Sequence, residues 1–254
     1  MTHTNIRNMN IKRIKLTHTD STNNWLKGYK PSDGEEMTVV SAEYQTAGRG
    51  QGCNVWESEE GQNLLFSILI HPHMVPVRNQ FLLSEAGAVA LKMALSHYIS
   101  EDSIQLKWPN DIYWKDRKLS GTLIESTISG STLSNTIYGI GLNVNQRKFL
   151  SDAPNPVSLH QILGYEINRD DLLEKIIQSF ETCYSLVQSS KYMEIAAMYH
   201  SSLFWREGFH KFEDKDGIQE YAIVEVEDDG HLIVRDRNGV MHSYAFKELK
   251  FIIE

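Results

Sequence analysis

The chain has 254 residues, of which 41% are hydrophobic and 23% charged, a balance that supports a packed core and excludes the composition of a disordered protein. Its net charge of −8, with no long run of Lys and Arg, argues against a nucleic-acid-binding face. The two cysteines, Cys53 and Cys183, lie too far apart to read as a secreted disulfide framework or a metal knuckle. The N-terminal stretch has no continuous apolar core, and the longest apolar run, 64–70, includes Ser67 and is too short to span a bilayer. The expected compartment is the cytoplasm, and the length predicts one large domain with a small appendage.

In chain order the elements follow an α+β pattern without repeats. Asp20-Ser21-Thr22-Asn23 is a run of N-cap residues before a short helix carrying Trp25 and Leu26, and 37–44 reads as a strand. Residues 45–62 form a glycine-bearing loop, 63–70 a strand, and 77–99 a helix. Segments 119–128 and 135–144 form an antiparallel hairpin across Ser129-Gly130-Ser131. Apolar residues at 172, 173, 176, 177, 180, 184 and 187 predict an amphipathic helix over 170–188, with a second helix through about Phe204. From Gly208 onward short strands are broken by the turn signals Asp228-Asp229-Gly230 and Asn238-Gly239, so the tail reads as a small β-barrel.

Three stretches could carry chemistry. Gln45-Thr46-Ala47-Gly48-Arg49-Gly50-Gln51-Gly52 combines bare backbone with a guanidinium that suits a carboxylate or phosphate, although a plain surface loop has the same composition. It is neither a P-loop nor a dinucleotide fingerprint. Lys107-Trp108-Pro109-Asn110-Asp111 places a lysine at a strand end before a proline turn, where it could meet phosphate or simply be exposed. Gly139-Ile140-Gly141-Leu142-Asn143 ends a strand, and its glycines, with Gly121, could floor a pocket for a flat ring; a bulge would explain them equally well. His71 and His73 lack a carboxylate or cysteine partner and read as surface residues rather than a metal site. Neither Ser21, Ser67 nor Cys53 sits in a nucleophile motif.

With Arg117-Lys118-Leu119-Ser120-Gly121 added, these motifs occur in the order found in biotin–protein ligases, which the chain resembles from about Leu16 onward. The resemblance implies a class II synthetase-like catalytic domain over 1–205, a central mixed sheet flanked by helices, followed by an SH3-like β-barrel over 206–254. It implies formation of biotinyl-adenylate from biotin and ATP with Mg2+, then transfer to a lysine of a biotin carboxyl carrier domain. Ser21, Thr22, Asn23 and Gln45 would meet the fused rings of biotin, with Gly121 and Gly141 beneath them. Arg49, Gly50, Gln51 and Lys107 would hold the biotin carboxylate and the α-phosphate. Trp56 would cover adenine, and Asn110 and Asn143 would contact the nucleotide.

Lys107 and Arg49 would neutralise charge in the first step. Asp111 is the candidate proton acceptor in the second, or a magnesium ligand. The 48–56 loop would serve as the lid. Aligned through Trp56, the sequence puts Cys53 where the family's last loop glycine belongs. The conserved core begins almost at once, without a helix-turn-helix domain, so the expectation is that the protein does not itself bind DNA. No membrane partner is expected; a homodimer would require a sheet edge that pairs two copies. The competing readings are a lipoate or octanoate ligase or transferase of related fold, and a non-catalytic biotin or adenylate sensor.

Overall fold

The computed structural model describes residues 9–52, 54–150 and 155–253, and the expectation placed on Cys53 lies outside them. A seven-stranded mixed sheet has the order β1-β2-β3-β7-β6-β5-β4. Its strands are β1 (Ile11–Thr19), β2 (Met37–Gln45), β3 (Leu64–Ile70), β4 (Ile104–Lys107), β5 (Asp111–Trp114), β6 (Arg117–Ser129) and β7 (Thr132–Leu142). The β1–β2 pair is parallel and the other neighbours are antiparallel. β3 is buried at all seven positions, as a strand covered on both faces must be. On one face Phe66, Ile68, Ile70, Tyr138, Ile140 and Leu142 join the large core with α2 (Phe81–Leu95) and α4 (Arg169–Gln188). Val40, Leu69 and Ile137 instead form a smaller cluster with Leu26 of α1 (Thr22–Lys27).

The predicted 77–99 helix is divided. A 3-10 turn at Val77–Asn79 precedes α2, which ends at Leu95. Twelve of the fifteen α2 residues are buried, so the helix is apolar nearly all round and lacks the one-sided pattern that would have marked its ends. Two strands and one helix escaped the sequence reading: β1, β5 and α3 (Leu159–Leu163), the last opened by a capping box between Ser158 and Gln161. α5 (Tyr192–Ser201) closes the helical part.

The C-terminal unit holds β8 (His210–Asp214), β9 (Gly217–Val226), β10 (Leu232–Arg235), β11 (Met241–Tyr244) and β12 (Lys250–Phe251), ordered β11-β10-β9-β8-β12. This is an antiparallel sheet, and no pairing closes β11 onto β12 among the described residues, so the barrel expectation reduces to a small β unit. It is bound to the larger sheet: Trp108 Nε1 donates to the Gly230 carbonyl at 2.9 Å, and Phe212, Tyr221 and Phe251 belong to the same core as Phe204. Among the described residues no helix is long and apolar enough to cross a membrane.

At this junction Glu85 of α2 is 6% exposed, and burial, aided by Asp228, pushes its carboxyl from 4.5 up to about 8. The folded chain therefore keeps a proton that the unfolded chain gives up near pH 4.5. The stability tied to the neutral carboxyl is complete below pH 4.5 and is lost as pH rises through about 8. Glu85→Gln removes that titration, so its stability advantage over wild type should grow by on the order of a few kcal/mol between pH 5 and pH 8.5 in urea unfolding. Parallel pH profiles for the two proteins would show that Glu85 ionises freely in the fold.

Candidate functional site

Strand register creates a bare patch on the sheet. Leu65, Gly141, Gly121 and Asp111 lie side by side across β3, β7, β6 and β5, and Ser67, Gly139 and Leu123 form the next row. Two adjacent glycines leave backbone where other rows carry side chains, and the Trp56 indole fills that space. A Cβ on Gly121 would stand 3.0 Å from the indole and 3.2 Å from Asp111 Oδ1, while one on Gly141 would collide with the indole. The paired glycines leave bare backbone on the sheet, and a ring of the chain itself covers it. Trp56 Nε1 is buried there without a hydrogen-bond partner, at a cost of about 1–3 kcal/mol.

Around this floor lies a cavity of about 1020 Å³. At one end, Gln45 Oε1 accepts from Thr22 N at 2.7 Å and Thr22 Oγ1 at 3.0 Å, and the Ser67 hydroxyl stands 2.7 Å from Thr22 Oγ1 and 2.6 Å from Asn23 Oδ1. Asn23 lies over Gly139, where a Cβ would collide with it, and its Nδ2 donates to Glu125 Oε2 at 2.9 Å. Ser21, the N-cap of α1, makes no side-chain capping bond and lines the same end. This polar group is positioned by a six-residue helix whose apolar residue, Leu26, anchors it to the sheet.

Beside this polar group stand cations. Arg49 Nη2 donates to Glu125 Oε2 at 3.1 Å, and Lys27 Nζ holds the other carboxylate oxygen at 2.7 Å. Burial works to raise the Glu125 carboxyl, but Lys27, Asn23 and Arg49 outweigh it and hold it below its ordinary value. Lys118 Nζ is 2.8 Å from Asp111 Oδ1 and 5.8 Å from the Trp56 ring centroid. Lys107 lines the same cavity, its ammonium 4.3 Å from the Phe251 ring centroid and 5.4 Å from that of Tyr113. Burial lowers the Lys107 pKa, Asp111 opposing and Lys118 adding to that effect.

The structure thus gathers Ser21, Thr22, Asn23, Gln45, Arg49, Gly50, Gln51, Trp56, Lys107, Asn110, Asp111, Gly121, Gly141 and Asn143 around one cavity. Three details differ from expectation. The Gly50 N–H donates to the Asn54 carbonyl at 2.7 Å, so in this state that donor is spent within the loop. Asp111 opens β5 instead of lying in a turn. Asn110 Nδ2 donates to the Thr122 carbonyl, tying the proline turn to β6. The sequence reading gave no site role to Lys118, Glu125 or Ser67. For Lys118 the signal was its place three residues before Gly121; nothing local marked the other two. Asn143, 3% exposed, donates through Nδ2 to the Val157 carbonyl and leaves Oδ1 without a partner.

A mixed sheet flanked by helices thus carries a glycine-floored cavity lined by both hydrogen-bonding and cationic side chains. The chain belongs to the biotin/lipoate A/B protein ligase family, whose model matches residues 11–143. It is 27% identical over 219 residues to the bifunctional ligase/repressor BirA of Bacillus subtilis, covering 84% of this chain and 66% of that one. It is 28% identical over 169 residues to the biotin–[acetyl-CoA-carboxylase] ligase of Mycobacterium tuberculosis, covering 65% and 61% respectively. The matched stretch is thus somewhat under two thirds of either relative. Biotin protein ligase from Aquifex aeolicus, solved with biotin and ATP, superposes with a TM-score of 0.78 at 27% identity, covering 96% of this chain and 99% of that one.

A methyl group at Gly141 would take the space of any ring on the floor. Gly141→Ala should weaken biotin binding by about tenfold or more in calorimetry. It should also shift tryptophan emission as Trp56 is displaced, a shift that vanishes in Trp56→Phe. Unchanged biotin affinity in Gly141→Ala would remove the floor from the binding site.

Proposed function

We propose that the protein is an ATP-dependent biotin–protein ligase, which forms biotinyl-adenylate and transfers biotin to a lysine of a biotin carboxyl carrier domain. The observation that carries this reading is the Gly121–Gly141 floor, set between the Thr22–Gln45 hydrogen-bond group and the cations Arg49 and Lys118. A fused ring carrying a urea fits such a floor, because few but fixed polar groups orient a ligand that bare backbone lets lie flat. Ser21, Thr22, Asn23 and Gln45 meet the ring, and the acid's side chain runs toward the cations. Trp56 leaves the floor and covers adenine, where its N–H regains a partner. The orphan acceptor Asn143 Oδ1 suits an exocyclic amine.

In the first step a biotin carboxylate oxygen attacks the α-phosphorus and pyrophosphate leaves. Two negative groups must approach, so the chain's part is to neutralise them. Arg49 exchanges Glu125 for the ligand, and Lys118, held at the floor by Asp111, is the lysine nearest the acid. Lys107, anchored on Phe251 and Tyr113, supports the phosphate side. Among the described residues no cluster of three or more His, Cys, Asp or Glu is placed to hold a metal, so magnesium would arrive on the triphosphate and lower its charge. In the second step the acceptor amine attacks the acyl carbon and AMP leaves, and Asp111, paired with Lys118 in the cavity, would take the proton.

The reading is tested by incubating the protein with ATP, magnesium and a purified biotin-carrier domain, with biotin or lipoate in parallel, and detecting the label on the carrier. Labelling by biotin alone is expected. Labelling by lipoate alone would move the substrate to the other branch of the family, and tight biotin binding without labelling would make the protein a sensor. Lys118→Ala should slow biotinyl-adenylate formation by about a hundredfold or more with a smaller change in biotin affinity. A larger loss in Lys107→Ala than in Lys118→Ala would give the bridging role back to Lys107.

A further inference from the structure

Ser67 is buried completely in the middle of β3, behind the cavity wall and outside its lining. A hydroxyl gains nothing from such burial unless it is hydrogen-bonded. It meets two oxygens of α1, Thr22 Oγ1 at 2.7 Å and Asn23 Oδ1 at 2.6 Å. Gly139, opposite Ser67 in the register, gives Asn23 the room to reach it, because a Cβ there would collide with the Asn23 amide. The glycine of β7 and the serine of β3 thus serve one contact.

That contact belongs to a row of four oxygens which is one hydrogen short. Gln45 Oε1, Thr22 Oγ1, Ser67 Oγ and Asn23 Oδ1 follow one another at 3.0, 2.7 and 2.6 Å. The two ends are amide carbonyls held in one orientation. Turning Gln45 over would set its NH2 against the Thr22 N–H, which lies 2.7 Å from Oε1. Turning Asn23 over would set its carbonyl against the Glu125 carboxylate, which lies 2.9 Å from Nδ2. Only the two hydroxyls bring hydrogens, one each, to three contacts. The Thr22 hydrogen can serve Gln45 or Ser67, not both. Lone pairs repel least across the longest gap, between Gln45 and Thr22, and Gln45 Oε1 already accepts the Thr22 N–H. Both hydroxyl hydrogens then run the same way, from Thr22 to Ser67 and from Ser67 to Asn23. Thr22 Oγ1 and Gln45 Oε1 are left side by side at the cavity, each with a free lone pair.

We propose that Ser67 is a positioning residue: by taking the Thr22 hydrogen it makes Thr22 Oγ1 and Gln45 Oε1 a pair of acceptors that selects a ring with N–H donors. The inference rests on the biotin reading and adds to it the reason a cyclic urea is preferred to a dithiolane, which has no hydrogen to offer. A ring N–H fills the missing place in the row. A ring without one leaves two acceptors desolvated and unpaired, and a site built to hydrogen-bond rejects such a ligand. Ser67 acts only through Thr22.

Calorimetry on the full chain with biotin, desthiobiotin and ATP separates this role from a merely structural one. Ser67→Ala returns the Thr22 hydrogen to Gln45 and should weaken biotin binding about tenfold, the weight of one hydrogen bond, with ATP affinity unchanged. Desthiobiotin, which keeps both ring N–H groups and lacks the sulfur ring, should lose as much. Ser67→Thr keeps the hydroxyl on a side chain suited to a strand and should retain the wild-type affinities. In a Thr22→Val background, replacing Ser67 by Ala should cost nothing further. Undiminished biotin affinity in Ser67→Ala, a loss confined to biotin, an equal loss for ATP, or the same loss in the Thr22→Val background would overturn the assignment. Wild-type protein that binds no biotin would overturn the biotin reading itself, an outcome distinguishable from all of these.

Discussion

The site depends on the pairing of Gly121 with Gly141, two residues that bring nothing but backbone to the middle of a packed sheet. A sheet interior normally loses stability at a glycine, which packs no side chain and restricts more chain freedom on folding. Here the loss falls at two paired positions in one row, and the void they leave is deep enough to take an indole ring. Everything around the patch answers to it. α1 is short because it needs only to deliver residues 21–23 over Gly139, and the 46–63 connection is long because it must carry Trp56 back across the floor.

Side chains of the chain itself meet both the floor and the cations. Trp56 lies against Gly121 and Gly141, and Glu125 pairs with Arg49. The two contacts are not equally well satisfied. Glu125 is fully engaged by Lys27, Asn23 and Arg49, whereas Trp56 buries an N–H with no acceptor. The indole is therefore the less well satisfied of the two, and the carboxylate the more firmly held.

Legibility in the sequence followed how local each signal was. The 129–131 hairpin, the α4 stripe and the glycine motifs were readable because turn chemistry and periodicity act over a few residues. β1 was not, because Lys12, Arg13, Lys15 and His18 give it a surface composition, and it is a strand only through parallel pairing with β2. The place of Lys118 was harder still, because β5 and β6 shift register between Ile112 and Tyr113. That shift helps bring its ammonium to Asp111, and no pattern within the motif encodes it.

Lys107 also ties the C-terminal unit to the site. Its ammonium lines the cavity and rests on Phe251 of β12. A buried ammonium against a ring face is tolerable only while that ring stays in place. Phe251 is held by Phe212, Trp205 and Phe204, and Phe204 in turn packs on Tyr113 of the large sheet. Losing the C-terminal unit would therefore leave the Lys107 ammonium without its aromatic cover and the Trp108 indole without the Gly230 carbonyl, loosening the proline turn that carries Asn110 into the cavity. The small sheet supports the site by burying two residues of the motif that the large sheet presents.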